Sequence, residues 1–310
     1  MLKRKDLLGL RDLTAEEITE ILDVADKMRD LLENKNKSYN DLKGKALITL
    51  FYENSTRTRV SFELAGKYLG ASVANIASSS SSVQKGETLI DTGMTLNSMK
   101  ADFIAMRHPM AGAPKLLAEH VKASVLNGGD GMNEHPTQAL LDMLAMRRKK
   151  GKIEGLKVAI LGDIKHSRVA KSNLFGLTKL GAKVYMYSPE TLMPKEIERL
   201  GAIVARSREE AISDADAVMG LRIQLERQHG GLFPSLSEYS KFYGVKDELL
   251  KYAKPDAIIL HPGPVNRGVE LTPTLIDGES SEILEQVTCG VAVRCALLKL
   301  LNEYRENHVL

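Results

Sequence analysis

Hydrophobic positions along the chain follow two alternating periods, which predicts helices and strands in regular succession. Residues 14–34 carry apolar side chains at helical spacing, and Thr14 with Glu17 makes a capping-box pattern at their start. Short apolar runs typical of buried parallel strands occur at 46–52, 71–76, 101–106, 123–126, 157–161, 183–187, 217–221 and 257–260. Further helical patterns lie at about 60–70, 88–100, 136–150, 167–180 and 281–304.

This alternation predicts the α/β class, with two domains that are each a mostly parallel sheet flanked by helices. The length of 310 residues also favours two domains over one. Gly151 to Gly155 is the best candidate boundary. We therefore predict a first domain at 1–150 and a second at 151–284, with a C-terminal helix at about 285–310 that packs back on the first. Ligands of such sheets bind at the carboxyl ends of the strands, so we expect a cleft there, between the two domains.

Composition narrows the class of protein. A hydrophobic content of 43% and a charged content of 27% are those of a globular domain. The net charge of +3 is too small to indicate a nucleic-acid partner. The N-terminus is charged and no apolar run approaches membrane-spanning length, so we expect neither a signal peptide nor a membrane partner. Only two cysteines are present, Cys289 and Cys295, which fits a cytoplasmic protein without a zinc site.

The strongest candidate site is the segment Ser55-Thr56-Arg57-Thr58-Arg59. It places hydroxyls and two arginines at a predicted helix N-terminus, where backbone N–H groups and the helix dipole favour a bound phosphate. Arg57 could bind such a phosphate through two hydrogen bonds. The alternative is an ordinary helix start, capped by Ser55 or Thr58, with a solvated arginine pair. The segment alone leaves both interpretations open.

Two further segments lie where a predicted strand gives way to a loop or helix. They are Arg107-His108-Pro109 and His135-Pro136-Thr137-Gln138. A cation and a neutral imidazole beside a carbonyl group can polarise it and stabilise the charge that develops on its oxygen. Gln138, one turn into its helix, could reach the same ligand. The alternatives are a helix-end histidine and a surface glutamine.

The second half of the chain offers cations for an acidic substrate. Arg222 and Gln224 alternate with apolar neighbours, so both should point to one face of an extended segment. Together with Arg168 they would suit a dicarboxylate, although surface ion pairing is the alternative for each arginine. Lys85 follows a run of serines at 78–82, and its alternative is a solvated loop.

The turn His261-Pro262-Gly263-Pro264 follows an apolar strand. It could expose backbone carbonyls as acceptors for an amine. Two X-Pro bonds in a tight turn also make it a candidate for a cis proline. The alternative is a rigid turn without a ligand.

Four motifs resemble those of the carbamoyltransferase family and follow one another in the same order. They are the segments at 55–59, 107–109, 135–138 and 261–264, and the resemblance extends from about residue 4 to 305. Within the family the aspartate branch is the most similar, because Lys85-Gly86-Glu87-Thr88 and Leu221 to Arg227 look like its two aspartate-binding segments. Ornithine enzymes are expected to carry a cysteine in the turn at 261–264, and this chain has none before Cys289. Gly263 stands where relatives often have leucine, which leaves a backbone contact intact.

The resemblance implies a role for each matching residue. The residues implied to bind carbamoyl phosphate are Ser55, Thr56, Arg57, Thr58, Arg107, His135, Gln138, Gly263 and Pro264, and the catalytic ones among them are Arg57, Thr58, Arg107 and His135. Aspartate would be bound by Lys85, Arg168, Arg222 and Gln224. The family also implies a homotrimer in which Lys85 and Ser81 reach the site of a neighbouring subunit, with Ser80 and Ser82 as alternatives to Ser81. A regulatory chain is a further candidate partner.

The implied reaction is attack of the neutral amine of L-aspartate on the carbonyl of carbamoyl phosphate. It yields N-carbamoyl-L-aspartate and phosphate, the committed step of pyrimidine biosynthesis, and needs neither a cofactor nor a metal. One alternative is transfer to another amine such as ornithine. Another is a nucleotide-binding oxidoreductase, suggested by the strand at 157–161 and Gly162, but the glycine-rich phosphate loop of that class is missing.

Overall fold

The computed structural model describes residues 2–77, 86–224 and 235–308, which fold into two units. The first unit is Met1–Leu141 with Val287–Leu310, and the second is Asp142–Gln286. Each contains a parallel sheet flanked by helices, so the predicted α/β class and two-domain architecture are confirmed. The boundary at Gly151 to Gly155 stays a prediction.

The first unit is built on a parallel sheet whose described strands have the order β2-β1-β3-β4. The strands are β1 (Ala46–Phe51), β2 (Ser72–Ala77), β3 (Phe103–His108) and β4 (Ser124–Asp130). The helices are α1 (Ala15–Leu31), α2 (Thr56–Tyr68), α3 (Leu89–Ser98) and α4 (Ala113–Ala118), together with the part of α5 (Pro136–Lys150) up to Leu141. The capping box predicted for α1 is present, with Thr14 Oγ1 accepting from the backbone of Glu17.

Strand β4 is longer than its apolar run predicted. The expected strand stopped at 126, with a glycine-rich loop after it, but β4 continues to Asp130 and is buried throughout. Its polar residues are tolerated because they bind one another and the backbone. The Asn127 amide donates 2.8 Å hydrogen bonds to Leu8 O and to Asp130 Oδ1. Hydrophobicity alone therefore missed a strand end that is held by buried polar groups.

The C-terminal helix α10 (Ile283–His308) packs on the first unit, as predicted. Lys299 forms an ion pair with Asp41, and Arg305 donates a 2.7 Å hydrogen bond to the carbonyl of Lys122. Most of the side chains of α10 between Cys289 and Leu301 are buried. This long helix therefore completes the core of a unit whose other elements come from the first half of the chain.

The second unit has a parallel sheet whose described strands have the order β7-β6-β5-β8-β9. The strands are β5 (Lys157–Leu161), β6 (Lys183–Tyr187), β7 (Ala202–Val204), β8 (Ala217–Gly220) and β9 (Ile258–Leu260). The helices are α6 (Arg168–Lys179), α7 (Arg208–Ile212), α8 (Leu236–Tyr243) and α9 (Pro273–Asp277), with short 3-10 helices at Glu190–Leu192, Ile197–Leu200 and Asp247–Tyr252. Several of these short elements were not predicted, because three to eight residues show no clear period.

Candidate active site

The edge of the first sheet where its strands end collects the predicted phosphate-binding residues. Strand β1 leads into Ser55 and α2, β3 ends at Arg107 and His108, and β4 is followed by His135. Because the strands are parallel, these segments leave the sheet at one edge. In the sheet, β2 lies on one side of β1 and β3 lies on its other side. The segment that follows β1 is therefore at the point where the strand order reverses. Ligands of open α/β sheets bind at such a point.

The N-terminus of α2 lacks the ordinary cap that one interpretation of the sequence required. Ser55 occupies the capping position in extended conformation, but its side chain makes no capping hydrogen bond with the described helix. In α1 and α3, by contrast, Thr14 and Thr88 cap the helix through complete capping boxes. Thr58 lies inside α2 and so is not its cap. Ser55 therefore does not cap the first turn of α2, and a helix N-terminus is the kind of position at which proteins bind anions.

Gly128 of β4 brings the first turn of α2 close to the end of β3. A Cβ at Gly128 would lie 3.4 Å from Thr58 Cγ2 and 3.1 Å from Met106 O. On the same glycine, the carbonyl oxygen lies 3.4 Å from a terminal nitrogen of Arg107. Thr58 and Arg107 therefore both contact this glycine, although they are far apart in sequence.

Arg107 is oriented by a carboxylate that the sequence did not reveal as functional. Its Nε donates to Glu53 Oε2 at 3.1 Å, and both side chains are largely buried. Glu53 is the second residue after β1 and precedes Ser55 by two residues. The sequence signal for the ion pair of Arg107 with Glu53 was an acidic residue close to a segment rich in arginine. The ion pair fixes one side of the guanidinium and so sets where its remaining donors point.

His108 stabilises the turn after β3. Its Nδ1 accepts a 3.0 Å hydrogen bond from the backbone of Met110, and its ring lies 4.7 Å from the ring of Tyr52. Burial lowers the pKa of His108 below its ordinary value. The imidazole is therefore neutral at pH 7, with its proton on Nε2.

His135 follows a loop that two buried carboxylates hold in place. Asp130 Oδ2 accepts a 2.7 Å hydrogen bond from the backbone of Gly112, and Asp130 Oδ1 accepts from the backbone of Glu134 at 3.1 Å. Glu134 Oε2 in turn accepts from the backbone of Leu10 at 2.7 Å. His135 is buried and Gln138, one turn further into α5, is half-buried. The loop is thus fixed by groups that belong to no sequence motif.

The segment after β8 has the geometry predicted from its alternation. Leu221 and Ile223 are buried, whereas Arg222 and Gln224 are half-buried and lie on the same face. An Arg222 terminal nitrogen donates to Gln224 Oε1 at 3.3 Å. Gly162, at the end of β5, has φ of +135°, and a Cβ there would lie 2.6 Å from Leu221 O. Glycine therefore allows the end of β5 to pack directly against this segment.

Arg168 begins α6 and is buried, which contradicts the alternative of a surface ion pair. Only 2% of Arg168 is exposed, and Ser167, the residue before it, caps the helix. Asp163, in the same loop, accepts a 2.8 Å hydrogen bond from His166 Nδ1 and a 3.2 Å bond from the backbone of Gln224. The β5 loop and the segment after β8 are thus joined through one buried carboxylate.

Glu270 holds the other side of the same segment. It accepts hydrogen bonds from the backbone of Ile223 at 3.3 Å and from the backbone and side-chain amides of Asn266, both at 2.8 Å. Burial nevertheless raises the pKa of Glu270 above its ordinary value. Its contact with Ile223 could not be predicted from the sequence, because the two residues become neighbours only in the fold.

The turn at 261–264 contains the predicted cis proline, at the Gly263–Pro264 bond. His261 Nδ1 accepts a 2.8 Å hydrogen bond from the backbone of Gly263. The backbone of His261 donates to Gln286 Oε1 at 3.0 Å, and Gln286 Nε2 donates to the buried Asp142 at 2.7 Å. A buried polar chain therefore fixes this turn.

Lys85, Ser81 and its neighbours Ser80 and Ser82 lie outside the described residues. Within the described part of the chain, no group of three or more His, Cys, Asp or Glu side chains is placed to hold a metal ion. No helix there combines the length and the apolar content needed to cross a membrane.

Two family models match the chain. Residues 5–148 match the carbamoyl-P binding domain, and residues 154–301 the Asp/Orn binding domain, of aspartate/ornithine carbamoyltransferase. Both halves thus match consecutive domains of one kind of transferase. The chain belongs to the aspartate/ornithine carbamoyltransferase family.

Individual relatives come from both branches of the family. A protein of Ruminiclostridium cellulolyticum named aspartate carbamoyltransferase catalytic subunit is 66% identical over 97% of this chain and 96% of the relative. The crystal structure of aspartate transcarbamoylase from Trypanosoma cruzi in complex with carbamoyl phosphate is 31% identical, covers 96% of both chains and has a TM-score of 0.86. The ornithine carbamoyltransferase of Pyrococcus furiosus is 34% identical over 94% of this chain and 95% of its own, with a TM-score of 0.83.

Proposed function

We propose that this chain transfers the carbamoyl group of carbamoyl phosphate to the amino group of L-aspartate, the committed step of pyrimidine biosynthesis. The observation that carries the proposal is the start of α2, where Ser55 leaves the first-turn N–H groups uncapped beside Arg57. The 66% identity to a protein named aspartate carbamoyltransferase catalytic subunit supports the same reaction.

Carbamoyl phosphate is bound in this proposal by residues at the carboxyl edge of the first sheet and by the backbone of the turn at 261–264. Its phosphate binds at Ser55–Thr58, where Arg57 supplies the charge-assisted hydrogen bonds. Arg107, His135 and Thr58 polarise the carbonyl oxygen, and Gln138 orients the carbamoyl nitrogen. The backbone of Gly263 and Pro264 lines the carbamoyl group.

L-Aspartate is bound through its two carboxylates by Arg168, Arg222 and Gln224, together with Lys85. Its neutral amine attacks the carbonyl carbon, the bond from that carbon to the phosphate oxygen breaks, and phosphate leaves with the amine proton. The protein contributes positioning and electrostatic stabilisation of the developing oxyanion. No covalent intermediate with the protein is needed.

Ornithine is the competing acceptor, because solved ornithine carbamoyltransferases have nearly the same fold. The charges of the described site favour aspartate. Arg222 and Gln224 form a hydrogen-bonded pair that suits a carboxylate, and the Arg222 cation would repel the side-chain ammonium of ornithine. The turn at 261–264 carries Gly263 and no thiol to receive an amine.

Release of phosphate from carbamoyl phosphate with each acceptor tests this choice. We expect turnover with L-aspartate and none above background with L-ornithine, measured at the same concentrations and with N-carbamoyl-L-aspartate identified as the product. Water is the control acceptor, since carbamoyl phosphate decomposes by itself. Turnover that depends on ornithine, or that is independent of any amine, would contradict the proposal.

We also propose a cytoplasmic homotrimer in which Lys85 and Ser81 complete the site of a neighbouring subunit. The first unit exposes large apolar side chains at Met94, Met99 and Met110, and contacts between subunits would remove such surface from water. Sedimentation should give three times the mass of one chain. Mixing inactive Arg57→Ala and Lys85→Ala chains under conditions that exchange subunits should restore part of the activity. In a mixed trimer, one site can combine the intact Arg57 of one chain with the intact Lys85 of its neighbour. A monomer with full activity would refute this arrangement.

A further inference from the structure

Arg294 of α10 is a buried cation in the first unit that the proposed mechanism does not yet use. Only 2% of the residue is exposed. One terminal nitrogen donates to Gly290 O at 2.8 Å and the other to Thr137 Oγ1 at 3.1 Å. Both acceptors are neutral oxygens, so neither compensates the positive charge.

This position is unfavourable for a cation in two ways. Burial lowers the pKa of Arg294 to about 9, which leaves the guanidinium protonated at neutral pH but poorly solvated. Thr137 is the second residue of α5, so the guanidinium also lies at the positive end of a helix dipole. Stability alone therefore gives no reason for an arginine here.

The surrounding residues are shaped to hold the guanidinium between three helices. A Cβ at Gly290 would lie 2.8 Å from a terminal nitrogen of Arg294, so a larger residue would displace the side chain. The guanidinium carbon lies 4.9 Å from the ring centroid of Phe62 in α2. Arg294 thus contacts α2 and α5, the two helices whose first turns contain the candidate residues for carbamoyl phosphate.

Thr137 connects the guanidinium to His135. Its hydroxyl oxygen lies 3.5 Å from His135 Nδ1, a long separation that tightening around a ligand would shorten. Because Arg294 donates to this oxygen, the hydroxyl hydrogen can be directed to Nδ1. The imidazole is then neutral, with its proton on Nε2.

We propose that Arg294 is a positioning residue that fixes Thr137, so that His135 is held as the neutral Nε2–H tautomer and donates a hydrogen bond to the carbonyl oxygen of carbamoyl phosphate. This inference rests on the proposed function and deepens it. Arg294 touches no reacting atom and acts only through Thr137.

Two substitutions at Thr137 test the connection without removing a buried charge. Thr137→Val keeps the shape of the side chain and removes its hydroxyl. We expect kcat to fall about tenfold to a hundredfold, as for a weakened oxyanion donor, while KM for L-aspartate stays unchanged. Thr137→Ser keeps the hydroxyl and should restore kcat to within about threefold of wild type. Arg294→Lys keeps the charge but cannot bridge both acceptors, so it should also lower kcat.

Thermal unfolding of each variant shows whether it folds like the wild type. A folded Thr137→Val variant with wild-type kcat would overturn the inference, and so would a Thr137→Ser variant no better than Thr137→Val. If the wild type carbamoylates L-aspartate and Thr137→Val does so equally well, only this inference fails. If the wild type does not carbamoylate L-aspartate, the proposed function fails and the inference with it.

Discussion

Replacing Arg57 with alanine should lower kcat/KM for carbamoyl phosphate by about 10³-fold, or roughly 4 kcal/mol of transition-state stabilisation. Arg57 is the second residue of α2, next to N–H groups that Ser55 does not cap. Its guanidinium adds a full positive charge where the phosphate leaves with additional negative charge. Initial rates of phosphate release at varied carbamoyl phosphate and saturating L-aspartate measure the loss.

The loss at Arg57 should be chemical and not structural. Arg57 is exposed, so alanine should leave the unfolding temperature within about a degree or two. Arg199→Ala is the matched control, because Arg199 is an exposed arginine like Arg57 and forms a surface ion pair with Glu196. Such surface pairs stabilise a protein by at most about 1 kcal/mol. If both variants lose activity equally, α2 does not bind the phosphate.

The position of the proposed phosphate-binding segment could be predicted because its signal is local. Hydroxyls and arginines directly after a short apolar strand specify a helix start at the edge of a sheet, and the sheet does place Ser55–Thr58 there. The same holds for Arg222 and Gln224, whose common face follows from alternation along an extended segment. In each case the relevant neighbours are within a few residues.

The supporting carboxylates could not be predicted, because their partners are distant in sequence. Glu134 binds the backbone of Leu10, a separation of 124 residues, and Glu270 binds the backbone of Ile223 across 47. A single buried acid has no periodic pattern and no motif, so its burial becomes apparent only when the chain folds. For the same reason the polar end of β4 at Asp130 was interpreted as a loop.

Arg222→Ala should raise KM for L-aspartate about a hundredfold and leave binding of carbamoyl phosphate unchanged. A charge-assisted pair between a guanidinium and a carboxylate contributes about 3 kcal/mol when it is partly buried, which is about two powers of ten in affinity. Arg222 is half-buried and its pair with Gln224 already orients it. Initial rates at varied L-aspartate and saturating carbamoyl phosphate give KM for L-aspartate, and rates at varied carbamoyl phosphate and saturating L-aspartate give KM for carbamoyl phosphate.

Arg222→Lys separates charge from geometry in the same assay. Lysine keeps the positive charge but lacks the planar fork that can bind one carboxylate through two hydrogen bonds, so KM should lie between those of wild type and Arg222→Ala. Arg199→Ala is the matched control in the second unit, because Arg199 is exposed and pairs with Glu196. It should leave both constants unchanged. If Arg222→Ala instead raised KM for carbamoyl phosphate and not for L-aspartate, the segment after β8 would belong to the carbamoyl phosphate site, and the choice of aspartate over ornithine would lose its structural support.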